Sequence, residues 1–290
     1  MRQRGFTLVE LVVVIIISGI LSLAAMQFIT RPIDIYVDQS RRARLVEQSL
    51  SAMHRLARDV RLSVPNSIRV GCGGQCVELM RAVTGARYRA LPPGDVLSFL
   101  PADADTSFEV IGNLGGVSDA TTSIDPQACE RGTGSCVVIY NTGFSGSDLW
   151  HGDNSATLVQ IGSGATTSVR FDNSRFTGGV TAFPAQSPGQ RFYITDTAVT
   201  FLCDTDTESL RRYWGYSRRS DQADVDTHEE LTTLTNPAES ALVANGVSGC
   251  RFNYSAGTPT RNAVLSVRLT FSEQGETITL LEQFSVSNLP

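Results

Sequence analysis

Arg4-Gly5-Phe6-Thr7-Leu8-Val9-Glu10 opens a segment that then continues over residues 11–30 without a charged side chain. As an α-helix, these roughly 20 apolar residues span about 30 Å, the thickness of the hydrocarbon core of a bilayer. The leader before the segment, residues 1–5, is short and basic. The sequence therefore predicts one membrane-spanning helix close to the N-terminus, and everything else in the chain follows this helix.

A secretory signal peptide and a plain signal anchor are the simpler interpretations of the apolar segment. A signal peptide ends at a small-x-small cleavage site, and Ala24-Ala25-Met26 fits that pattern poorly. A signal anchor explains the apolar run but not Glu10, because a carboxylate at the edge of a membrane-spanning helix is costly and indicates a functional role.

Glu10 needs a positively charged partner in the same layer of the membrane. A cut between Gly5 and Phe6 would create an α-amino group near Glu10. Pairing that amine with Glu10 of a neighbouring subunit would offset much of the cost of burying both charges. We therefore predict that Glu10 sets the register between assembled subunits.

The same residues resemble the class III signal of type IV prepilins and pseudopilins. In that family a prepilin peptidase cuts after the glycine and methylates the new N-terminal phenylalanine. The resemblance thus implies cleavage between Gly5 and Phe6, N-methylation of Phe6, and an assembly role for Glu10. It also implies association with the prepilin peptidase, with other minor and major pilins, and with an assembly platform in the inner membrane.

Six cysteines follow the apolar segment, and none lies within it. A zinc site is one interpretation, since Cys72 and Cys76 have a spacing that zinc knuckles tolerate. No second pair with that spacing follows, so disulfides in an oxidising compartment are favoured. Sequential pairing is one of many possible connectivities, and it joins Cys72–Cys76, Cys129–Cys136 and Cys203–Cys250.

The cysteines also bear on orientation in the membrane. Arginines flank the apolar segment on both sides, so a positive-inside count does not settle the topology. The disulfides and the size of the C-terminal part place residues 65–290 in the periplasm. We expect a single-pass inner-membrane protein that can also be incorporated into a pilus.

Beyond the membrane the helix is predicted to continue to residue 64, with a kink or restart at Pro32. An apolar stripe indicates an amphipathic helix, and it consists of Ala43, Val46, Leu50, Met53, Ala57, Val60 and Val64. The stripe is expected to pack on the protein's own β-sheet. A coiled-coil partner helix is the alternative.

After Pro65 the pattern changes to short strands and polar loops. Buried strands are predicted at residues 96–100, 137–140 and 198–202, and alternation over 263–271 and 278–286 predicts a β-hairpin. Residues 218–240 are interpreted as a long surface loop. The expected fold class is α+β: leader 1–5, helix 6–64 that spans the membrane to about residue 30, and one β-rich, disulfide-bonded domain over 65–290.

Motifs for catalysis, cofactors or nucleic acid are not found in the sequence. The net charge of -5 gives no sign of nucleic-acid binding. Trp150-His151-Gly152-Asp153 is interpreted as a surface turn, residues 203–208 as an acidic turn rather than a calcium loop, and Arg211-Arg212-Tyr213-Trp214-Gly215-Tyr216 as a strand that covers the core. We expect no catalytic residues, no metal, no cofactor and no enzymatic activity.

A finer resemblance comes from several patches. Arg58-Asp59-Val60-Arg61, followed by Val64-Pro65-Asn66-Ser67-Ile68-Arg69-Val70, resembles minor pilins of the MshO type from mannose-sensitive haemagglutinin (MSHA) pilus systems. The helix and long β-domain are also similar to the J-type pseudopilin of type II secretion. An adhesive subunit at a pilus tip is a further alternative.

Overall fold

The computed structural model describes residues 6–115, 125, 127–164, 166–174, 182–257 and 261–287, without the side chains of residues 27–34 and 163. Helix α1 (Leu8–Arg61) forms one continuous element of 54 residues, about 80 Å long. It passes through residue 32 without restarting, so of the predicted kink or restart at Pro32 the restart is wrong, and the kink stays a prediction. A proline removes one backbone hydrogen bond, and here the turns on both sides continue the helix. The helix ends at Arg61, slightly before the predicted end at residue 64.

The buried face of α1 differs from the predicted stripe in its first half. Met53, Ala57 and Val60 are buried as expected, together with Leu45 and Leu56, whereas Ala43, Val46 and Leu50 are exposed. The predicted stripe has a 3.5-residue repeat, and on a straight helix of 3.6 residues per turn such a stripe drifts by about 20° per heptad. Its N-terminal part therefore turns away from the domain.

Nine strands form the larger sheet. They are β1 (Arg69–Gly71), β2 (Cys76–Tyr88), β3 (Ser107–Ile111), β4 (Cys136–Ile139), β5 (Ser155–Ser163), β6 (Thr167–Asp172), β7 (Arg191–Asp204), β8 (Ser209–Trp214) and β9 (Glu239–Asn245). The order is β1-β2-β3-β6-β5-β4-β7-β8-β9, and β2 also pairs with β7. This extra pairing closes β2, β3, β6, β5, β4 and β7 into an antiparallel ring, which is filled by aromatic side chains including Tyr88, Phe108, Phe171 and Phe192.

Three further strands form a separate antiparallel sheet in the order β10-β11-β12. They are β10 (Val247–Ser255), β11 (Ala263–Glu273) and β12 (Glu276–Val286). Strands β11 and β12 form the predicted hairpin, and their register is regular from Ala263↔Val286 to Glu273↔Glu276. The apolar face of this sheet packs against α1, β2 and β7 in one shared core. The expected α+β class, a long helix with antiparallel sheets, is thus confirmed.

Two local predictions are wrong. Residues 96–100 are not a strand: Leu97 is buried, but the N–H of Ser98 bonds to the Asp105 carboxylate at 2.8 Å instead of joining a ladder. Residues 218–240 are not a plain surface loop, since they contain the short helix α3 (His228–Thr233) and bury Val225 and Leu231. A few apolar residues in a polar segment give too weak a periodic signal to predict a short helix or buried side chains there. Another short helix, α2 (Ala128–Arg131), precedes β4.

Candidate functional site

The N-terminal end of α1 is closed by a capping box between Thr7 and Glu10. Thr7 is the N-cap, and its Oγ1 accepts a hydrogen bond from the backbone N–H of Glu10 at 3.3 Å. In return, Glu10 Oε2 accepts hydrogen bonds from the backbone N–H of Thr7 at 3.2 Å and from its hydroxyl at 3.1 Å. The reciprocal bonds satisfy two N–H groups that a helix start otherwise leaves unpaired.

Thr7 is a functional residue that was not predicted from the sequence, unlike Glu10. The signal was present, because threonine followed three residues later by glutamate, ahead of an apolar run, is the pattern of a capping box. The carboxylate of Glu10 therefore has a structural task inside its own chain. Both of its capping-box bonds end on Oε2, so Oε1 is the oxygen that this motif does not use. The role of Glu10 in subunit register stays a prediction.

Phe6 immediately precedes the cap, and it is 80% exposed. A free amine on Phe6 would lie beside the capping box, at the positive end of the helix dipole. Gly5 and the rest of the leader lie outside the described residues. Cleavage between Gly5 and Phe6, and methylation of Phe6, therefore stay predictions.

Leu8–Met26 is the part of α1 suited to a membrane. These 19 residues have a mean hydropathy of 2.7, and none of them is buried within the chain. Glu10 is the one charged residue in the segment. Contact of such an apolar surface with lipid or with other apolar helices is favourable, whereas contact with water is unfavourable. The helix is therefore a membrane anchor.

The C-terminal half of α1 attaches the anchor to the β-domain by polar contacts as well as by its apolar face. The carboxylate of Asp59 accepts a hydrogen bond from Arg212 Nε of β8 at 2.5 Å, and both side chains are largely buried. Gln48 donates to the backbone carbonyl of Asn245 in β9 at 2.8 Å. These contacts bridge the helix and one edge of the larger sheet, so the anchor and the domain are directly coupled.

Three disulfides join the cysteines in sequential order: Cys72–Cys76, Cys129–Cys136 and Cys203–Cys250. The first closes the turn between β1 and β2, and the second ties α2 to β4. The third connects β7 with β10 and therefore links the two sheets. With their sulfur atoms in a disulfide, Cys72 and Cys76 are not available as zinc ligands. Within the described ranges, the structure contains no cluster of three or more metal-ligating side chains.

The motifs considered for chemistry occupy structural positions. His151 Nδ1 lies 2.8 Å from Asp148 Oδ2 in an exposed turn. Asp204 accepts hydrogen bonds within the β7–β8 turn, and the bond from the Thr207 hydroxyl is the main cause that lowers its pKa. In β8, Tyr213 is fully buried and the guanidinium of Arg212 covers the ring of Trp214 at 4.8 Å. The rings of Tyr213 and Trp214 thus make contacts within the protein's own fold.

A buried ion pair was not predicted from the sequence. Glu78 in β2 is fully buried, and its Oε2 accepts a hydrogen bond from Arg69 Nε at 2.6 Å while its Oε1 accepts one from Tyr216 at 2.7 Å. The Tyr216 hydroxyl lies 2.6 Å from Thr200 Oγ1, and the Arg69 guanidinium stacks on Trp150 at 3.9 Å. Burial raises the pKa of Glu78, although Arg69 and Tyr216 oppose that shift.

Comparison with known proteins finds a family match at the N-terminus. Residues 1–26 match the prokaryotic N-terminal methylation motif, which covers the leader, the Gly5-Phe6 junction, Glu10 and the apolar segment described above. No curated protein and no solved structure matches the chain. The motif implies processing by a prepilin peptidase and association with pilin machinery and the membrane. Through residues 1–26, the chain carries the class III signal of a type IV pilin-like, membrane-anchored protein.

Proposed function

We propose that this protein is a minor pilin, similar to the MshO type, that takes part in the assembly or initiation of an MSHA-type type IV pilus. The observation that carries the proposal is the class III signal at residues 1–26, followed by one continuous helix that carries a disulfide-bonded β-domain. In this role the protein crosses the inner membrane once, with its domain in the periplasm, and is not an enzyme.

The steps of this function follow from the order of features along the chain. Prepilin peptidase removes residues 1–5 and methylates Phe6. The processed protein then stays anchored in the inner membrane until the assembly platform inserts it into a fibre with other minor and major pilins. Apolar helices offer little preference between registers, so the charge of Glu10 and the amine of a neighbouring Phe6 select one register.

The patches that favour an MshO-type subunit over other pilins have defined places in the fold. Arg58-Asp59-Val60-Arg61 lies in the last turns of α1, where Asp59 bonds to Arg212. Arg69 of the following patch holds the buried Glu78. Asp59 thus joins the helix to the domain, and Arg69 lies in the first strand after the helix. A J-type pseudopilin of type II secretion shares the same general plan and is the second candidate; a tip adhesive subunit is the third.

Intact-mass measurement tests the signal. The full-length chain is expressed with and without a prepilin peptidase, extracted from membranes and weighed. With the peptidase we expect a mature chain of 285 residues (290 minus 5) plus one methyl group. An N-terminus at Met1 in the presence of an active peptidase, or one beyond Ala24, would overturn the proposal at its first step.

A deletion in the source bacterium separates the candidates. For a minor pilin, loss of the gene reduces surface fibres and leaves type II secretion of exoenzymes intact, and the wild-type gene restores the fibres. Loss of secretion with normal fibres would identify a pseudopilin instead. Normal fibres that no longer adhere would identify an adhesive subunit.

A further inference from the structure

The face of the β10–β12 sheet that points away from α1 carries two arginines directly opposite each other. Arg251 of β10 pairs in register with Arg268 of β11, and Leu281 of β12 continues the same row. Both arginines are exposed, and Leu281 is 61% exposed. The stem of Arg251 lies against Gly74 of the β1–β2 turn, which supports its position at the edge of the sheet.

The rest of this face has no negative charge to balance the pair. Its other described positions are Ser248, Asn253, Ser255, Val264, Ser266, Thr270, Ser272, Thr277, Thr279, Gln283 and Ser285. Many of these polar groups bond to each other, for example Thr270 to Thr279 at 3.0 Å and Ser272 to Thr277 at 2.9 Å. Among the described residues, neither arginine forms an ion pair. The result is a hydroxyl-rich surface on which two positive charges lie side by side in one row across β10 and β11.

This arrangement is unfavourable for the isolated domain. Like charges placed directly opposite each other on neighbouring strands destabilise a sheet, and a threonine or an opposite charge at either position would remove the repulsion. A chain with a net charge of -5 has no general excess of positive charge that would explain the pair. A partner that brings negative charge to this row would relieve the repulsion and gain two charge-assisted hydrogen bonds.

We propose that the outward face of β10, β11 and β12, centred on Arg251 and Arg268, is a docking surface for an acidic segment of another protein. Carboxylates from the segment bind the two guanidinium groups, and an apolar side chain beside them covers Leu281. The proposal does not depend on the pilus assignment, because it rests on the sheet alone.

The position and chemistry of the face favour a protein over other anions. The β11–β12 turn lies beside residue 42, since Glu276 is 3.8 Å from Arg42, and residue 42 is about 24 Å along α1 from Met26. Anionic lipid headgroups are screened within about 8 Å at physiological ionic strength, so they do not reach this surface. The hydroxyl groups bond mainly among themselves, which leaves few partners for a sugar. Two arginines are also few for a nucleic acid, whose binding depends on many phosphate contacts.

Fluorescence anisotropy tests the proposal with the full-length protein in a non-ionic detergent. The probe is a fluorescein-labelled peptide of alternating glutamate and threonine. Arg268→Glu is compared with Arg170→Glu, which makes the same change of charge at another exposed strand position. We expect Arg268→Glu to weaken binding at least about tenfold, and Arg170→Glu to weaken it less than about threefold.

A stability measurement distinguishes loss of the site from loss of the fold. Arg268→Glu places opposite charges across the β10–β11 ladder, so the melting temperature should stay the same or rise while binding is lost. Equal weakening by the two variants would mean that the peptide responds to net charge only, and would overturn the proposal. Inorganic polyphosphate or anionic vesicles that bind more tightly than the peptide, and lose binding in Arg268→Glu alone, would overturn the assignment to an acidic protein segment.

Discussion

Glu10 caps α1 together with Thr7, and it is predicted to set the register between subunits. Substitutions can separate the observed role from the predicted one. Glutamine at position 10 keeps a side-chain oxygen that can accept the Thr7 bonds, because glutamine also serves in capping boxes, but it removes the charge. We expect Glu10→Gln to be processed and inserted normally and to enter fibres poorly, because an amine buried beside it loses its counter-charge. Counting surface fibres in a complemented deletion strain, with crosslinking to other subunits, measures this effect.

Thr7→Ala is the matched control for the capping box. It removes the N-cap hydroxyl at a cost of about 1 kcal/mol of helix stability and leaves the charge of Glu10 in place. If fibre entry depends on charge pairing, Thr7→Ala should assemble much better than Glu10→Gln. The reverse order, with the glutamine variant assembling normally, would show that Glu10 acts through the helix cap alone.

Glu78 predicts a distinct dependence of stability on pH. Burial raises its pKa in the folded protein above the ordinary value of 4.5, so the folded state holds the proton more tightly than the unfolded state. The stabilisation from protonation is complete below the unfolded pKa and is lost as the pH rises through the folded pKa. We therefore expect the stability of the wild type relative to Glu78→Gln to fall as the pH increases from about 4.5 toward neutrality.

Unfolding in urea at a series of pH values, followed by near-ultraviolet circular dichroism in detergent, measures this difference. Comparing the two proteins removes the contribution of other titrating groups, such as Asp204, whose pKa is lowered. A difference that is flat with pH, or that grows as the pH rises, would contradict the raised pKa.

At the scale of elements, α1 depends on one face for its attachment to the domain. Leu56 is fully buried between the helix and the sheets, whereas Leu50 on the same helix is 43% exposed. Leu56→Ala should reduce the free energy of unfolding of the domain by about 2 to 5 kcal/mol, through lost burial and the cavity left behind. Leu50→Ala should change it by less than about 0.5 kcal/mol.

The same pair of variants separates the stability of the domain from contacts between subunits. Val46 and Leu50 are among the apolar residues of α1 that the domain leaves exposed, so Leu50→Ala tests whether other subunits contact them. Equal loss of domain stability in both variants, measured by urea unfolding, would show that the buried face of α1 is wider than the structure indicates. A fibre defect in Leu50→Ala with normal stability would assign the exposed side chain to contacts between subunits.

At the scale of the whole molecule, Cys203–Cys250 holds the two sheets together across 47 residues of chain. The loop-closure relation predicts that replacing both cysteines by serine costs about 4 kcal/mol of stability. The loss should be largest for the β10–β12 sheet, which among the described residues shares no strand ladder with the larger sheet. Hydrogen exchange followed by mass spectrometry should therefore show faster exchange in β10–β12 than in β2 and β7.

Replacing Cys72 and Cys76 by serine gives the comparison. Their loop is short, and the same relation predicts a loss of about 2 kcal/mol, confined to the turn between β1 and β2. Uniform loss of protection over both sheets in the Cys203 and Cys250 double variant would contradict the view that this disulfide acts as a link between sheets.

The sequence by itself determined the features that depend on local pattern. The apolar run at Leu8–Met26, the class III signal with Gly5, Phe6 and Glu10, and the alternation that forms the β11–β12 hairpin are all carried by neighbouring residues, because helix and strand periods repeat over short distances. The α+β class follows from these elements. The buried half of the stripe on α1 could be predicted from Met53 onward, where the domain meets the helix.

Tertiary structure alone decided which surfaces meet. The ring closed by β2 and β7 joins residues far apart in sequence, and no local pattern encodes a partner at that distance. The same is true of Glu78 with Arg69 and Tyr216, whose burial depends on three separate elements, and of Arg251 opposite Arg268, which requires the β10–β11 register. Val46 and Leu50 show most clearly what the sequence cannot predict. Their spacing is typical of a buried helix face, but both side chains are exposed. The position of the domain, and the drift of a 3.5-residue stripe around the helix, decide which side chains of α1 are buried.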